Sequence, residues 1–394
     1  MNDGLPTSIA VLGATGSVGT QSLDVARTLG IPVRLLTANA DVGTMEALAR
    51  EFMPPVLCMA DENAAKELRT RLADTDIRVL GGAPSIPQAI GECDAEVFVN
   101  AILGEAGLLP TLAVLDTGRR LALSNKESLV VAGDIVMARA KEKGAELIPV
   151  DSEHSAIFQS LLAGGHGEIR SILLTASGGP FYGRSYQELE GVTKQDTLAH
   201  PTWKMGAKIT VDSATMMNKG FEVIEACHLF GVAPDMVDVL VHRESIIHSA
   251  VEYIDGAVIA EMSLPDMRMC VQYALSYPRR VSGPCRRLSL KDVGVLHFDH
   301  PDGEAFPLLP LAYRAMKAGG AAPAVLNAAN EVAVAAFLDE RLSFTGIMQL
   351  VQDTAEALFA SASSARTLEE ILCFDKEARR VAEKGLGRYL KGKR

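Results

Sequence analysis

The sequence predicts an α/β protein. Its N-terminal domain is read as doubly wound, mostly parallel and Rossmann-like, followed by an α+β segment with a flexible lid and a C-terminal helical domain. Three observations predict this. Up to Val150, short apolar runs alternate with helical patterns, the rhythm of a parallel sheet with crossover helices. Beyond Asp151 the alternation stops, and a glycine- and proline-bearing stretch, 177–208, intervenes. From Leu311 to Lys391 the pattern is helical throughout, clearest in the alanine-rich 324–338. The expected boundaries are 1–150, 151–277, a proline-rich linker 278–310, and 311–394.

Taken in order, strands are expected at 8–12, 33–38, 56–60, 78–81, 96–102, 120–124 and 146–150, with helices such as 44–52 and 64–72 between them. A helix at 155–162 and a strand at 169–176 lead into the long loop. A single long helix is expected at 213–230, then a strand at 237–242. Asp255-Gly256, a type I′ turn signal, joins hairpin strands 249–254 and 257–264, and a helix at 266–275 ends before Tyr277-Pro278.

The bulk numbers exclude several partner classes. A net charge of −11 argues against nucleic acid or an anionic membrane surface, both of which need a basic face. The six cysteines are scattered without a C-x-x-C pair, as in reduced thiols of a cytoplasmic protein. The N-terminus lacks the pattern of a signal peptide, and no apolar run is long enough to span a bilayer.

Four stretches carry chemistry. The turn Gly13-Ala-Thr-Gly16-Ser-Val-Gly19 follows a strand and opens a helix, the setting in which glycines admit a pyrophosphate against a helix N-terminus. After the second strand, Asn39-Ala40-Asp41 offers no cation for a 2′-phosphate, and Asp41 could accept ribose hydroxyls, which leans towards NAD or indifference. Asp151 and Glu153 follow a strand; if the extended backbone continues, both carboxylates face one side. With Glu222 they would form an all-oxygen site for a hard divalent cation. Asp94/Glu96 and Asp302/Glu304 repeat the spacing and read as surface pairs, so it is the strand-end position that favours Asp151 and Glu153. Lys126 stands at a helix N-terminus, where the macrodipole disfavours a cation and a ligand would justify one.

The richest stretch runs from His200 to Glu222. Ser213, Asn218 and Lys219 are the short donors and point cation that grip a phosphate, and Glu222 lies one turn beyond Asn218. Trp203, the single tryptophan, falls in the glycine-rich loop with His200 and Met205 and is a candidate lid residue. The competing reading is a helix capped by Asp212 or Ser213 with solvated polar residues. Ser177, beside Gly178 and Gly179, reads either as a free hydroxyl at a strand end or as part of a glycine hinge. His154, His242 and His248 are candidate ligands or hydrogen-bonded core residues.

The ordered set GATGSVG, ALSNKES, PVDSEHSAIFQ, LTASGGPF, HPTWKMGAKITVDSATMMNKGFEVIEA, SLPDMR and NAANEVAVAAFL resembles the 1-deoxy-D-xylulose 5-phosphate reductoisomerases over essentially the whole chain. The resemblance implies a cytoplasmic homodimer that makes 2-C-methyl-D-erythritol 4-phosphate for isoprenoid precursors, using NADPH and Mg²⁺ or Mn²⁺, with Co²⁺ as a further option. By matching positions, Thr15, Gly16, Ser17 and Val18 would hold the pyrophosphate, and Asn125, Glu127 and Gly206 would also touch the cofactor, with Met267 near the nicotinamide. Asp151, Glu153 and Glu222 would bind the metal; Lys126, Ser152 and Glu153 would meet the carbonyl and hydroxyl end of the substrate. Ser177, Ser213, Asn218 and Lys219 would hold its phosphate, with His200 and Trp203 closing over it. The chain departs from the family at Asn39-Ala40-Asp41, and at His242-Arg243-Glu244-Ser245, where H-P-[QE]-S is common. The rival readings are another NAD(P)-dependent dehydrogenase of similar layout, which would turn over without a divalent ion, and a non-catalytic nucleotide sensor, which would not need Lys126 and the three carboxylates intact.

Overall fold

The computed structural model describes residues 4–199 and 206–389. It contains two compact units: residues 4–128, 136–155 and 266–286 form one, and 129–135, 156–199, 206–265 and 287–389 form the other.

In the first unit the alternation becomes β1 (Ile9–Leu12), α1 (Ser17–Leu29), β2 (Val33–Ala38), α2 (Val42–Phe52), β3 (Val56–Met59), α3 (Glu62–Arg71), β4 (Arg78–Gly81), α4 (Ser85–Glu92), β5 (Val97–Asn100), α5 (Leu108–Asp116), β6 (Arg120–Leu123), α6 (Lys126–Lys143), β7 (Leu147–Pro149) and α7 (Ser152–Ser160). The seven strands are all parallel, in the order β4-β3-β2-β1-β5-β6-β7. β1 and β5 are buried at every position, which is why they read as continuous apolar runs and not as alternating ones. Strand order reverses between β1 and β5, so the turn after β1 lies at the topological switch point, where open α/β sheets bind ligands.

The glycine turn is sterically required. Gly13 has φ +82°, and a Cβ on Gly19 would lie 2.2 Å from the Gly13 carbonyl oxygen.

In the second unit β8 (Ile169–Ala176) leads through α8 (Lys194–Leu198), α9 (Ala207–Ala214) and α10 (Met217–Phe230) to β9 (Val237–Val241), β10 (Ile247–Tyr253) and β11 (Val258–Met262). The sheet order is β11-β10-β8-β9, with β10 antiparallel to both neighbours and β8 parallel to β9. α11 (Met267–Ser276) returns to the first unit, where it packs on α1; Arg268 reaches Asp24 at 2.8 Å and Asp266 caps the helix. α12 (Leu290–Val293) interrupts the proline-rich stretch. The helical segment is α13 (Leu308–Ala318), α14 (Ala322–Leu338), α15 (Phe344–Ala362) and α16 (Leu368–Gly385). α14 packs against both α15 and α16, and its first thirteen positions include seven buried alanines and valines.

The expected helix at 213–230 is two helices. Met216 has φ +61°, a left-handed conformation that costs a non-glycine residue about 1–2 kcal/mol, and it ends α9 and starts α10. Asp212 and Ser213 therefore lie inside α9 and cap nothing. The loop expected over 177–208 already holds α8 and the start of α9. Among the described residues no helix is long and apolar enough to cross a membrane.

Gly19→Ala is expected to lower Tm by about 3–10 °C, the effect of forcing a methyl into backbone. Thermal unfolding of the apo protein measures it, and an unchanged Tm would mean the turn can relax around a Cβ.

Candidate active site

In the first unit the carboxyl ends of β1, β6 and β7 carry the candidate residues. After β1, Thr15 to Val18 form the turn into α1, whose N-cap is Gly16, so no side chain caps the first turn. The amides of Gly13 and Ala14 both donate to the Thr37 carbonyl of β2, at 3.1 and 2.8 Å, tying the turn to the strand that leads to Asn39 and Asp41. Asp41 accepts the Thr44 N–H at 3.0 Å as N-cap of α2. That bond holds its carboxyl below the usual range.

After β6, Asn125 caps α6 by accepting the Ser128 N–H at 3.1 Å. Its amide donates to the carbonyls of Ile102 and Gly104, at 2.7 and 2.9 Å, and to Glu127 Oε2 at 3.2 Å. Lys126 is nearly buried, and its ammonium stands 3.0 Å from Asp151 Oδ2. The carboxylate explains how a cation tolerates the first turn of a helix.

After β7 the strand does not continue. Ser152 and Glu153 open α7, and Asp151 Oδ1 accepts the Glu153 N–H at 3.2 Å. The premise of an extended backbone through Glu153 is thus corrected: strand-to-helix geometry, not period-two alternation, brings the two carboxylates together. An oxygen of each lies within 4.8 Å of an oxygen of the other, close enough to share a cation. Ser152 Oγ donates to Glu153 Oε2 at 2.6 Å, and the fully buried His154 meets Asp151 Oδ1 through Nδ1 at 2.9 Å. Met267 is the first residue of α11.

In the second unit Glu222, 1% exposed, projects from α10. It accepts the Asn218 amide at 2.5 Å and forms an ion pair with the buried Lys219. The break at Met216 puts Asn218 and Lys219 in the first turn of a new helix whose N-cap offers no side chain. Such a terminus, next to Ser213, suits an anion. Ser177 accepts the Gly179 N–H at 3.3 Å, and the Gly179 backbone runs so close to Ser213 that a Cβ would sit 2.8 Å from its carbonyl oxygen. Ser177 and Ser213 are thereby brought to one place. Gly206 is the N-cap of α9. His200, Trp203 and Met205 lie outside the described residues.

The three histidines singled out in the sequence are hydrogen-bonded: His154 as above, His242 to the His297 carbonyl at 2.9 Å, and His248 to Glu261 at 2.8 Å. Sequence reasoning missed the supporting polar network. Asn100 donates to the Gly107 carbonyl and to Thr111 Oγ1, at 3.0 and 2.8 Å, and Thr111 meets Ser128 at 3.0 Å. A buried asparagine ending the apolar run Val97–Asn100 was the available signal. In the second unit Asn330 of α14 donates to the buried Asp212 at 2.7 Å, while Lys208 pairs with it at 3.0 Å.

Three family models match the chain. The model of 1-deoxy-D-xylulose 5-phosphate reductoisomerase matches residues 9–133, and those of its C-terminal domains match 147–230 and 262–381. The reductoisomerase of Acetivibrio thermocellus is 48% identical over 375 residues, covering 95% of this chain and 98% of that protein. The chain belongs to the 1-deoxy-D-xylulose 5-phosphate reductoisomerase family. The reductoisomerase of Pelodictyon phaeoclathratiforme is 47% identical over 96% of this chain and 99% of its own length. A crystal structure of a reductoisomerase in complex with NADPH, fosmidomycin and magnesium superposes with a TM-score of 0.92 at 38% identity, covering 97% of this chain and 98% of that one. The Zymomonas mobilis reductoisomerase in complex with NADPH gives 0.90 at 41% identity, with 97% and 99% covered.

Asn125→Ala is expected to cost roughly 2–3 kcal/mol, because it removes a helix cap and leaves two loop carbonyls without their donor. Denaturant unfolding of the apo protein measures this. Unchanged stability with a loss of turnover would assign Asn125 to ligand contact alone.

Proposed function

We propose that this chain converts 1-deoxy-D-xylulose 5-phosphate to 2-C-methyl-D-erythritol 4-phosphate, with NADPH as reductant and a divalent cation of the Mg²⁺ class. The observation that carries the reading is full-length kinship at nearly half identity, together with the carboxylates of Asp151 and Glu153 close enough to share a cation. Carboxylates without thiolate or imidazole suit a hard cation, so the residues fit the ion that the crystallised relatives hold. The glycine turn likewise fits a dinucleotide: its first turn lacks a side-chain cap and its glycines leave backbone exposed to a pyrophosphate.

The bound groups supply Lewis-acid polarisation of the substrate's ketone and hydroxyl oxygens and a hydride for the rearranged aldehyde. The chain supplies placement. Asp151, Glu153 and Glu222 would hold the cation. Lys126, fixed by Asp151, would orient and polarise the reacting oxygens, with Ser152 and Glu153 at the same end. Ser177, Ser213, Asn218 and Lys219 would hold the phosphate, a group that takes no part in the bond changes, so their binding energy can be spent on orientation. His200 and Trp203 would close over it. Thr15, Gly16, Ser17, Val18, Asn39, Asp41, Asn125, Glu127, Gly206 and Met267 would hold NADPH.

The partner is a second copy of the chain. β11 is an edge strand with Val258 and Ile259 exposed, and Ile254 beside it is 68% exposed, an apolar sheet edge of the kind that pairs. Six free cysteines support a cytoplasmic setting. The founding test is loss of nicotinamide absorbance when protein, NADPH, Mg²⁺ and the phosphosugar are mixed. Turnover without divalent ion would overturn the reading in favour of a plain dehydrogenase.

Asp151→Asn and Glu222→Gln are each expected to reduce turnover at least about 100-fold and to abolish the Mg²⁺-dependent rise in Tm. Persistence of that rise in either variant would remove the residue from the cation site.

Asp41→Asn keeps an N-cap while removing a negative charge near the expected 2′-phosphate. Its Tm should not change, and the ratio of kcat/KM for NADPH over NADH should rise roughly fivefold, the equivalent of about 1 kcal/mol. An unchanged ratio would mean that Asp41 serves only as a cap.

A further inference from the structure

The loop that carries Ser177 has little backbone structure of its own. Gly178, Gly179 and Gly183 adopt φ of +76°, +64° and +81°, and β8 ends at Ala176. Two aromatic side chains hold the loop. Phe181 is 2% exposed and meets Phe344 edge-on, with ring centroids 5.0 Å apart. Tyr182 packs back onto Gly178, where a Cβ would meet its ring at 3.2 Å and the Val241 side chain at 3.0 Å.

Tyr182 is itself held from two sides. Its hydroxyl donates to Asp299 Oδ2, and the Arg243 guanidinium lies 4.9 Å from its ring centroid. Asp299 sits in a short strap fastened to residues 241–244. Val241 and Asp299 exchange backbone hydrogen bonds of 2.8 and 2.9 Å. Phe298 stacks on His242, with centroids 4.8 Å apart at 16°. His297 accepts from His242 Nδ1 through its carbonyl, and its ring meets Glu244 at 2.5 Å. Arg243, which stands where the family pattern has proline, thus supplies a contact to Tyr182, and its neighbour Glu244 supplies one to the strap.

We propose that Tyr182 and Asp299, fastened by Arg243 and Glu244, are positioning residues that hold the Ser177 loop in its phosphate-binding shape. The hydroxyl–carboxylate bond joins the strap to a residue that lies directly against the backbone next to Ser177. The Asp299 carboxyl is held low first by the Tyr182 hydroxyl and then by the His300 N–H, so the bond is charge-assisted over the neutral range. With the bond present, Gly178 and Gly179 are kept near one of the many conformations that glycine allows. Without it the loop must be ordered when the phosphate arrives, which weakens capture and leaves the chemical step unchanged. The proposal rests on the reading that Ser177 meets the substrate phosphate.

The test uses the full chain with NADPH and Mg²⁺. Tyr182→Phe, which keeps the ring and its packing, should raise KM for the phosphosugar about 3- to 10-fold, with kcat within about twofold and Tm unchanged. Asp299→Asn, whose amide oxygen still accepts from the hydroxyl but without the charge, should raise KM by a smaller factor, and the double variant should be no worse than Tyr182→Phe alone, because that change already removes the shared bond. Ser177→Ala is the control for the underlying reading and should raise KM as well. If Ser177→Ala raises KM while Tyr182→Phe and Asp299→Asn do not, the positioning role is overturned and the phosphate reading stands. If Ser177→Ala leaves KM unchanged, the phosphate reading fails and the proposal falls with it. Parallel falls in kcat and Tm in the Tyr182 variant would show a merely structural contact and overturn the proposal too.

Discussion

A lysine ammonium and an aspartate carboxylate 3.0 Å apart, both nearly out of water, govern the carboxyl end of the seven-stranded sheet. Such a pair is costly to bury, and removing one partner leaves a charge that costs about 3–5 kcal/mol. Its geometry must therefore be held by other groups. Asn125 caps the helix that begins with Lys126 and ties it to the loop after β5, while His154 and the Glu153 amide hold Asp151. The helix that supplies His154 and the Glu153 amide to Asp151 also carries Ser152 and Glu153, so these candidate residues share one support.

The second unit solves a similar problem around Glu222. Lys219 and Asn218 both engage that carboxylate, so the phosphate-binding candidates and the cation-binding candidate are not independent. Their placement depends on Met216 holding a left-handed backbone at a cost of about 1–2 kcal/mol. Backbone strain of this kind collects at functional sites. Here it creates a helix N-terminus between Ser213 and Asn218, where one unbroken helix would have none.

Much of the fold was legible because a parallel sheet buries both faces of its strands. Continuous apolar runs such as IAVL and VFVN can hardly be read otherwise, and glycine punctuates them where backbones approach. The break at Met216 was not legible, since methionine carries no turn signal and the flanking residues favour helix. The return of α11 to the first unit was equally hidden: its docking rests on Arg268 reaching Asp24, more than two hundred residues away. The Asp41 cap on α2 was hidden too: its carboxylate accepts a local amide three residues on, a bond that the sequence permits without requiring.

By itself the sequence determined the α/β class and the glycine turn and nominated three carboxylates and a set of candidate phosphate donors, because those depend on residue type and on order along a strand or helix. Only the tertiary structure decided how the types are used. It showed that Asp151 and Glu153 come together through a strand-to-helix turn, that Lys126 is paired with Asp151, and that Arg243 lies against Tyr182 while Glu244 meets His297. Local pattern reports which face of an element is buried. The partner of a buried charge is set by where distant elements end, and a lysine twenty-five residues from an aspartate carries no mark in the sequence of the 3.0 Å that separates them in space.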